Sequence, residues 1–333
     1  MQPNDPYQQP PETPPYLNQP LPPPPAGVPP APPPVYRVER PRRRTARPGR
    51  RLPPRRLRLP SINCACLLLF LFCGAVVFAV AAFLLFPART NFMVIGIDYT
   101  EPGNAVARSD TIMLVTFNPL KPYIGILSIP RDLWVNIPGV GQNRINTAHF
   151  YAESQRAGSG PAALIQTVGV NFGVSMPYYL RVRFEGFRQL VGAMGGVDIV
   201  LAKPMAGYVP GKYHLTDRKA LEFVRHRSGS DDFFRMENSQ FLVKAIFMNL
   251  LSPSKWPLLP GVAQAFFKTV DTNIPVWVWP RLAFAFLRLG PNGIDSHIIN
   301  REMTTNFTTS EGAMVLLPKW DLINPLVKQM FGP

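Results

Sequence analysis

Two apolar runs joined by a proline-containing turn, residues 111–117 (TIMLVTF) and 123–129 (YIGILSI), decide the fold of this chain. The connecting residues 118–122 (NPLKP) carry two prolines, which favour a turn. Both runs lack the regular polar alternation of a half-exposed strand, and continuous apolar runs of this length are typical of buried strands. The sequence therefore predicts a central hairpin of two buried strands.

The chain on either side of this hairpin alternates strand-like and helix-like segments. Residues 91–97 are a third short apolar run, and residues 236–251 carry apolar side chains at helical spacing. We predict an α/β fold, a three-layer α-β-α domain with a central mixed sheet. Further predicted helices are 161–172, 187–194, 216–223, 262–270, 276–289 and 319–331, and further predicted strands are 178–184, 197–201, 297–299 and 314–317.

The first 60 residues differ in composition from the rest of the chain. They hold 21 of the 40 prolines, and proline runs neither donate backbone hydrogen bonds nor bury apolar surface. We therefore predict a disordered tail, rich in Pro and Arg, over residues 1–60. Residues 37–58 contain eleven arginines and one acid, Glu39, and they account for most of the net charge of +15.

Residues 64–86 form an apolar run of 23 residues without a charge. At a rise of about 1.5 Å per residue, such a helix crosses a hydrocarbon core of roughly 30 Å. We predict a transmembrane segment over residues 61–87, a cytoplasmic tail before it and one extracytoplasmic domain over residues 88–333. The run is too long and too far from the N-terminus for a cleaved signal peptide. The arginines then mark topology and contact lipid headgroups, so no nucleic-acid partner is expected.

Cysteine and histidine usage excludes several kinds of site from the predicted outer domain. All three cysteines lie in the apolar run, which leaves neither a disulfide nor a thiol nucleophile after residue 87. The four histidines are scattered, and without cysteines they do not suggest a zinc site.

Charged residues cluster where the predicted strands end. Asp98 follows the first strand, Asp110 precedes the second, and Arg131 follows the third. Residues 225–235 (RHRSGSDDFFR) add three arginines and two aspartates in eleven residues. If residues 225–227 are extended, Arg225 and Arg227 point to the same side. Such a run can be a solvated loop, but carboxylates suit Mg²⁺ and arginine forks suit phosphate, so together they indicate a pyrophosphate site.

Eight short motifs extend this pattern through residues 91–333. They are, in chain order, 94–98 (VIGID), 108–111 (RSDT), 127–132 (LSIPRD), 144–148 (RINTA), 184–187 (FEGF), 195–197 (GGV), 220–227 (ALEFVRHR) and 232–235 (DFFR). These motifs resemble those of the LytR–CpsA–Psr family of membrane-anchored cell-envelope phosphotransferases, and the resemblance implies the mixed-sheet fold of that family.

The resemblance implies a specific activity. Members of the family move a glycopolymer, such as a teichoic acid or a capsule, from polyprenyl pyrophosphate to the muramic acid 6-hydroxyl of peptidoglycan, forming a phosphodiester. A side pyrophosphatase activity is also implied. The prenyl chain needs an apolar tunnel, for which residues 236–251 and the tryptophans Trp256, Trp277 and Trp279 are candidates, although core packing is an alternative role for each.

The resemblance also assigns roles to individual residues. Asp98 and Asp110 are the expected ligands of Mg²⁺ or Mn²⁺, and Arg131, Asp232 and Arg225 are the expected catalytic residues. Gln240 stands where the family often has paired glutamines after a further arginine, and this chain has Asn238 and Ser239 before it. The expected pyrophosphate-binding residues are Arg108, Arg131, Arg144, Arg225, Arg227, Arg235 and Gln240.

A second class of function stays open from the sequence. A non-catalytic binder of polyprenyl pyrophosphate, or an envelope-linked transcriptional attenuator, would need the same charged residues. The identity of the polymer and of its acceptor, peptidoglycan or protein, also stays open.

Overall fold

The computed structural model describes residues 64–86, 89–98, 109–120, 123–226, 232–289 and 293–332. The predicted tail, residues 1–60, lies outside the described residues, and so do the predicted pyrophosphate ligands Arg108 and Arg227.

Strands and helices alternate along the described part of the chain. The strands are β1 Thr90–Ile97, β2 Ser109–Asn118, β3 Tyr123–Ile129, β4 Trp134–Ile137, β5 Gly141–Arg144, β6 Tyr178–Arg183, β7 Val197–Leu201, β8 Gly211–Leu215, β9 Val270–Thr272, β10 Ile294–Ile298, β11 Thr304–Thr308 and β12 Met314–Pro318. The helices are α1 Cys64–Leu85, α2 Ile145–Gln155, α3 Gly160–Phe172, α4 Phe184–Ala193, α5 Asp217–Arg225, α6 Asp232–Leu251, α7 Leu259–Thr269, α8 Trp279–Leu287 and α9 Trp320–Phe331.

The central sheet has six strands in the order β10-β3-β2-β1-β6-β9. The predicted hairpin is confirmed, because β2 and β3 pair antiparallel from Ile112 opposite Ile129 to Asn118 opposite Tyr123. Strand β1 pairs antiparallel with β2 and parallel with β6, and β10 is parallel to β3. The sheet is therefore mixed, as predicted.

Alternate residues of the central strands pack into two separate apolar cores. Met93, Ile95 and Leu114 face a core that also contains side chains of α2, α3 and α9. Their neighbours Phe92 and Val115 face the opposite core, which includes side chains of α6 and α8. Successive side chains of a strand point to opposite faces of the sheet, so one strand packs against the helices on both faces. The three-layer prediction is confirmed.

A third apolar cluster covers the outer side of α6. It joins residues of α4, α5, β7 and β8 to Leu242 of α6 and Val262 of α7. The side chain of Thr216 caps α5 by accepting a hydrogen bond from the Lys219 N–H at 3.5 Å, which confirms the predicted start of that helix.

Several elements differ from the sequence-based prediction. Helix α6 begins at Asp232 and not at residue 236, so its first turn carries charged residues of the candidate site. The hairpin β4–β5, helix α2 and strands β8, β9 and β11 were not predicted. Strand β5 consists of the polar residues GQNR, and α2 follows it directly without a side-chain cap. Strand β5 and the start of α2 therefore carry no local sequence signal.

Helix α1 is apolar along its whole length. Residues Ala65–Leu85 are long and apolar enough to cross a membrane, with a mean hydropathy of 2.9 in their most apolar window. The last turn of α1 contacts α8 of the domain.

Candidate functional site

Most of the predicted site residues that the structure describes lie where β1, β3 and β6 end. Strand β1 pairs Gly96 with Thr111 but Ile97 with Ser109, so Asp110 is the extra residue of a β-bulge. A bulge turns side chains away from the regular alternation of a strand. It places Asp110 beside the end of β1, where Asp98 follows directly.

Arg131 is the centre of the charged cluster. Its Nη1 donates to Asp110 Oδ1 at 2.7 Å, and its Nε lies 3.5 Å from Asp132 Oδ2 and 3.5 Å from Asp232 Oδ1. Burial opposes the charge on Arg131, but the attraction of Asp232 and the hydrogen bond to Asp110 outweigh it and raise its pKa. Arg131 is therefore a permanent cation held among three carboxylates.

The loop that carries Arg131 is fixed by the start of α2. The Asn146 N–H donates to the Arg131 carbonyl at 3.2 Å, and the Ile145 N–H donates to the Leu133 carbonyl at 2.8 Å. These donors belong to the first turn of a helix, where they have no partner within the helix. The first turn of α2 thus holds the backbone at Arg131 and Leu133 in place.

Arg235 joins the cluster from the first turn of α6. Its Nη2 lies 2.7 Å from Asp232 Oδ1 and donates to the Asp110 carbonyl at 3.1 Å. Burial raises the pKa of the Asp232 carboxyl, although Arg235 and Arg131 lower it. The other oxygen, Asp232 Oδ2, is buried and has no hydrogen-bond partner among the described residues. Such an oxygen suits a site that is completed by a ligand.

A second pair lies beside the first cluster. Arg225, the last residue of α5, has its Nη2 3.8 Å from Asp98 Oδ2, and its guanidinium lies 5.1 Å from the centre of the Phe184 ring. Arg225 is 56% exposed at its side chain, so it faces open space. An extended conformation was one possibility for residues 225–227 from the sequence. Arg225 is instead helical, because α5 continues through it.

Phe184 is a site residue that charge patterns could not reveal. It begins α4 directly after β6 and supports Arg225 by a cation–π contact. The available signal was the FEGF motif itself, which has the aromatic residue at the end of a predicted strand.

Two predicted pyrophosphate ligands have other contacts. Arg144 Nε lies 3.3 Å from Asp132 Oδ1, and its Nη2 donates to the Met314 carbonyl at 2.8 Å, so Arg144 borders the cluster and ties it to β12. Gln240 is 7% exposed, and its amide donates to the His297 carbonyl at 2.7 Å and to the Ile126 carbonyl at 3.4 Å. The Gln240 amide thus links α6 to β3 and β10, and its assignment to the pyrophosphate site stays a prediction.

The carboxylates fit a small, hard cation that keeps other ligands. Among the described residues, no group of three or more His, Cys, Asp or Glu side chains is placed to hold a metal ion. Asp98 and Asp110 supply hard oxygens at the bulge, with side chains 26% and 18% exposed. Mg²⁺ typically uses one or two carboxylates and takes its remaining ligands from water and substrate phosphates. The donor set thus fits Mg²⁺ in the presence of a phosphate ligand.

Two clefts flank the cluster. One has a volume of about 360 Å³ and is lined by Lys203, Tyr208, Phe234 and Glu237, the last two in the first turns of α6. The other has about 630 Å³ and is lined by Arg188, Arg218, Arg225 and His226.

The apolar part of α6 lies between two clusters of core residues. Val243, Phe247 and Met248 pack on the sheet side, and Phe241 and Ile246 pack on the outer side. All five side chains are only partly buried.

The fold and the site together define a class of protein. It is a mixed-sheet α/β protein that presents a cluster of arginines and aspartates at the ends of its central strands. The model of the LytR_cpsA_psr family matches residues 87–326, most of the chain. The protein therefore belongs to the LytR–CpsA–Psr family.

Two curated relatives illustrate the range of names in this family. The chain is 38% identical over 190 residues to the polyisoprenyl-teichoic acid–peptidoglycan teichoic acid transferase TagU of Oceanobacillus iheyensis, covering 55% of this chain and 58% of that protein. It is 28% identical over 198 residues to the regulatory protein MsrR of Staphylococcus aureus, covering 56% of this chain and 57% of that protein. The chain thus matches less than two thirds of the length of either relative.

Solved structures share the fold at low sequence identity. TagT bound to LI-WTA has a TM-score of 0.59 at 22% identity, covering 74% of this chain and 92% of that one. TagV of Bacillus subtilis has a TM-score of 0.59 at 20% identity, with 73% and 97% covered. A TagT structure with bound octaprenyl pyrophosphate has a TM-score of 0.55 at 21% identity, with 74% and 92% covered.

Proposed function

We propose that this protein is a membrane-anchored, Mg²⁺-dependent phosphotransferase that moves a glycopolymer from polyprenyl pyrophosphate to peptidoglycan. The observation that carries the proposal is the cluster in which Arg131 and Arg235 are held by Asp110 and Asp232. Family membership and the names of the TagU and TagT relatives support a lipid-linked glycopolymer as the donor.

The transfer reaction depends more on stabilisation of negative charge than on a covalent intermediate with the protein. An acceptor hydroxyl oxygen attacks the phosphorus that bears the polymer, the bond from that phosphorus to the bridging oxygen breaks, and polyprenyl phosphate leaves. A phosphodiester to the acceptor forms, and the hydroxyl proton is released. Negative charge moves onto the leaving phosphate, so arginine forks placed beforehand stabilise the transition state.

Each charged residue has a distinct part in this proposal. Arg131 and Arg225 bind the pyrophosphate oxygens, and Arg235 adds a third guanidinium. Asp232 Oδ1 contacts Arg131 and Arg235, so Asp232 orients both side chains. Arg108 and Arg227 stay in the predicted set on the basis of their motifs. Asp98 and Asp110 would hold Mg²⁺, which neutralises phosphate charge when bound.

The lipid and the membrane belong to the same proposal. The half-buried apolar side chains of α6 would contact the prenyl chain, and α1 would anchor the domain in the membrane that holds the donor. The arginines of residues 37–58 would keep the N-terminus on the cytoplasmic side.

The decisive experiment measures transfer by the purified full chain from polyprenyl-pyrophosphate-linked sugar to a peptidoglycan fragment in the presence of Mg²⁺. Arg131→Ala should lower turnover by about 100-fold or more, since one lost donor to the developing charge costs about 10²–10³. Arg131→Lys should restore little, because an ammonium lacks the planar fork. Arg156→Ala, an exposed arginine after α2, is the matched control. Equal turnover by wild type and Arg131→Ala would overturn the proposal.

The name of the MsrR relative favours one alternative, a regulatory protein that binds polyprenyl pyrophosphate without turnover. The same assay separates the two functions. Binding of the lipid with no release of polyprenyl phosphate, under conditions in which a related transferase is active, would support the regulatory alternative.

A further inference from the structure

An exposed apolar face lies on the domain next to the end of α1. We define this apolar face by five side chains: Trp256, Phe267, Val276, Trp277 and Leu287. Their exposed fractions are 51%, 60%, 79%, 67% and 64%. Large apolar side chains grouped in this way mark an interaction surface on a soluble domain.

Helix α8 and the short 3-10 helix before it, Val276–Val278, are apolar on both sides. Val278, Leu282 and Ala285 are buried in the core, whereas Trp277 and Leu287 point outward and are exposed. Residues Val276–Leu287 form an apolar segment that is too short to span a membrane. A surface helix normally has a polar outer side, but here Trp277 and Leu287 are left uncovered by the described residues.

Aromatic contacts join α7 to α8 within the apolar face. The Trp279 ring meets the rings of Phe266 and Phe267 edge-on, at centroid distances of 5.1 and 5.5 Å. Phe267 itself belongs to the exposed set. The apolar face therefore extends across two helices.

The last turn of α1 is attached to the same helix. Arg281 of α8 donates from Nε and Nη2 to the Phe83 carbonyl at 3.0 and 2.8 Å, and its guanidinium lies 5.3 Å from the centre of the Phe83 ring. Carbonyls in the last turn of a helix have no partner within the helix, so Arg281 caps α1. Phe83 is two residues before the end of α1, or about 3 Å along its axis.

This attachment determines the depth of α8. If α1 spans the membrane, its last turn lies where hydrocarbon gives way to headgroups, and Arg281 lies at that level too. Arginine at this depth keeps its charge in the headgroup layer while its stem contacts apolar surface. Tryptophan is enriched at the same level, and three of the five tryptophans of the chain, Trp256, Trp277 and Trp279, lie in this region.

The charge of the segment suits an anionic lipid surface. Residues 253–289 contain the basic residues Lys255, Lys268, Arg281 and Arg288, and a single acid, Asp271. The Asp271 carboxylate is paired with Arg181 Nη2 at 2.6 Å. The segment is therefore apolar with a positive net charge, as is typical of helices that lie in the membrane interface.

We propose that the apolar face docks on the outer surface of the bilayer that α1 spans, with Trp277, Leu287 and Phe267 inserted among anionic headgroups. The inference rests on the membrane anchor of the proposed function and adds a second, lateral attachment of the domain. Docking would hold the domain against the membrane, so that a lipid-linked donor need not leave the bilayer completely.

The composition of the chain permits a clean test with the full-length protein. All five tryptophans, Trp134, Trp256, Trp277, Trp279 and Trp320, lie outside α1. The protein is reconstituted in phosphatidylcholine–phosphatidylglycerol vesicles with or without lipids brominated near the headgroup. Any quenching of tryptophan emission by bromine then reports contact of the domain, and not of α1, with the bilayer.

Quenching is expected in wild type, and Trp277→Phe should remove about half of the quenched emission because it deletes the most exposed interfacial tryptophan. Trp320→Phe is the control and should leave the quenched emission unchanged, since Trp320 stacks edge-on with Phe172 in the other core. Leu287→Glu keeps all tryptophans and should lower quenching by itself. An unchanged melting temperature shows that this variant folds.

The outcomes separate docking from transfer. Protein that floats with the vesicles but shows no bromine quenching would overturn docking, and transfer activity in the same vesicles would leave the proposed function intact. Quenching without transfer would support docking and contradict the enzymatic function. Failure to float with vesicles would overturn both the anchor and the docking.

Discussion

Asp110 is the residue at which the sheet meets the charged cluster. Because it is the extra residue of the bulge between β1 and β2, its side chain reaches Arg131, and its carbonyl accepts a hydrogen bond from Arg235. One residue thus contacts both arginines, which come from different elements. Without such a carboxylate, two guanidinium groups this close would repel each other.

Asp98 provides a test of the metal site that leaves the ion pairs of Arg131 and Arg235 in place, although it also removes the carboxylate partner of Arg225. Asp98→Asn keeps the size of the side chain but removes its charge, and we expect the Mg²⁺ concentration for half-maximal transfer to rise by about tenfold or more. Binding of Mn²⁺, followed by electron paramagnetic resonance, should weaken in parallel. Asp295→Asn is the control, because Asp295 contacts Tyr123 and His297 away from the bulge. An unchanged metal requirement in Asp98→Asn would remove Asp98 from the site.

At the scale of elements, the turn between α2 and α3 is tied to the sheet by a buried ionic network. Glu153 of α2 accepts hydrogen bonds from the N–H groups of Gly158 and Gly160, both at 2.9 Å. Its Oε2 also lies 3.1 Å from Arg181 Nη1 on β6. The network orients α2, whose first turn holds the Arg131 loop.

Two glycines of α3 should respond in opposite ways to the same substitution. A Cβ at Gly160 would lie 2.6 Å from the His149 ring and 2.7 Å from Glu153 Oε2, whereas at Gly169 the nearest atom is 3.8 Å away. Gly160→Ala should therefore destabilise the protein by about 1–3 kcal/mol through overpacking. Gly169→Ala should stabilise it by about 0.5–1 kcal/mol, because alanine is the better helix former. Thermal unfolding in detergent measures both, and equal melting temperatures would contradict this account.

The pH dependence of stability should show the contribution of Glu153. Burial opposes its charge, but the hydrogen bonds from Gly158 and Gly160 and the charge of Arg181 outweigh burial and lower its pKa. A pKa lower in the folded than in the unfolded state stabilises the fold above the ordinary value of about 4.3, and the contribution is lost as pH falls.

Glu153→Gln should accordingly lower the free energy of unfolding by about 1–3 kcal/mol at pH 7, with a smaller difference below about pH 4. Glu185→Gln is the matched control, since Glu185 pairs with Arg188 on the surface with its side chain 65% exposed. A difference between wild type and Glu153→Gln that does not change with pH would rule out the ionic contribution.

At the scale of the whole molecule, the arginine-rich segment and the charged cluster lie on opposite sides of the apolar helix α1 along the chain. Eleven arginines precede the apolar helix, and the charged cluster follows it. Charge of this kind on one side of a membrane helix normally stays in the cytoplasm. The proposed donor, which is carried on a lipid, would then meet the domain on the opposite side.

Reporter fusions test this orientation in a bacterial host. Alkaline phosphatase fused after residue 333 should be active and green fluorescent protein fused there dark, with the reverse result for fusions before residue 1. Replacing the arginines of residues 37–58 by glutamine should weaken this bias, because topology follows the positive charges near the helix. An active N-terminal phosphatase in the unaltered chain would reverse the proposed orientation.

The sequence predicted most of the framework because its signals are local. The hairpin β2–β3, the capped helix α5 and the apolar helix α1 each follow from a few neighbouring residues. The polar strand β5 and the uncapped α2 have no comparable signal, and they form because the Arg131 loop and the core hold them in place.

The sequence by itself determined most of the central strands and helices, the family motifs and the set of charged residues, because hydrophobic period and motif spacing are properties of adjacent residues. Only the tertiary structure decided which charges meet. Arg131 and Asp232 are separated by a hundred residues and come within 3.5 Å only through the strand order and the start of α6. The inward position of Gln240 and the capping of α1 by Arg281 likewise depend on packing between distant elements, which no local pattern encodes.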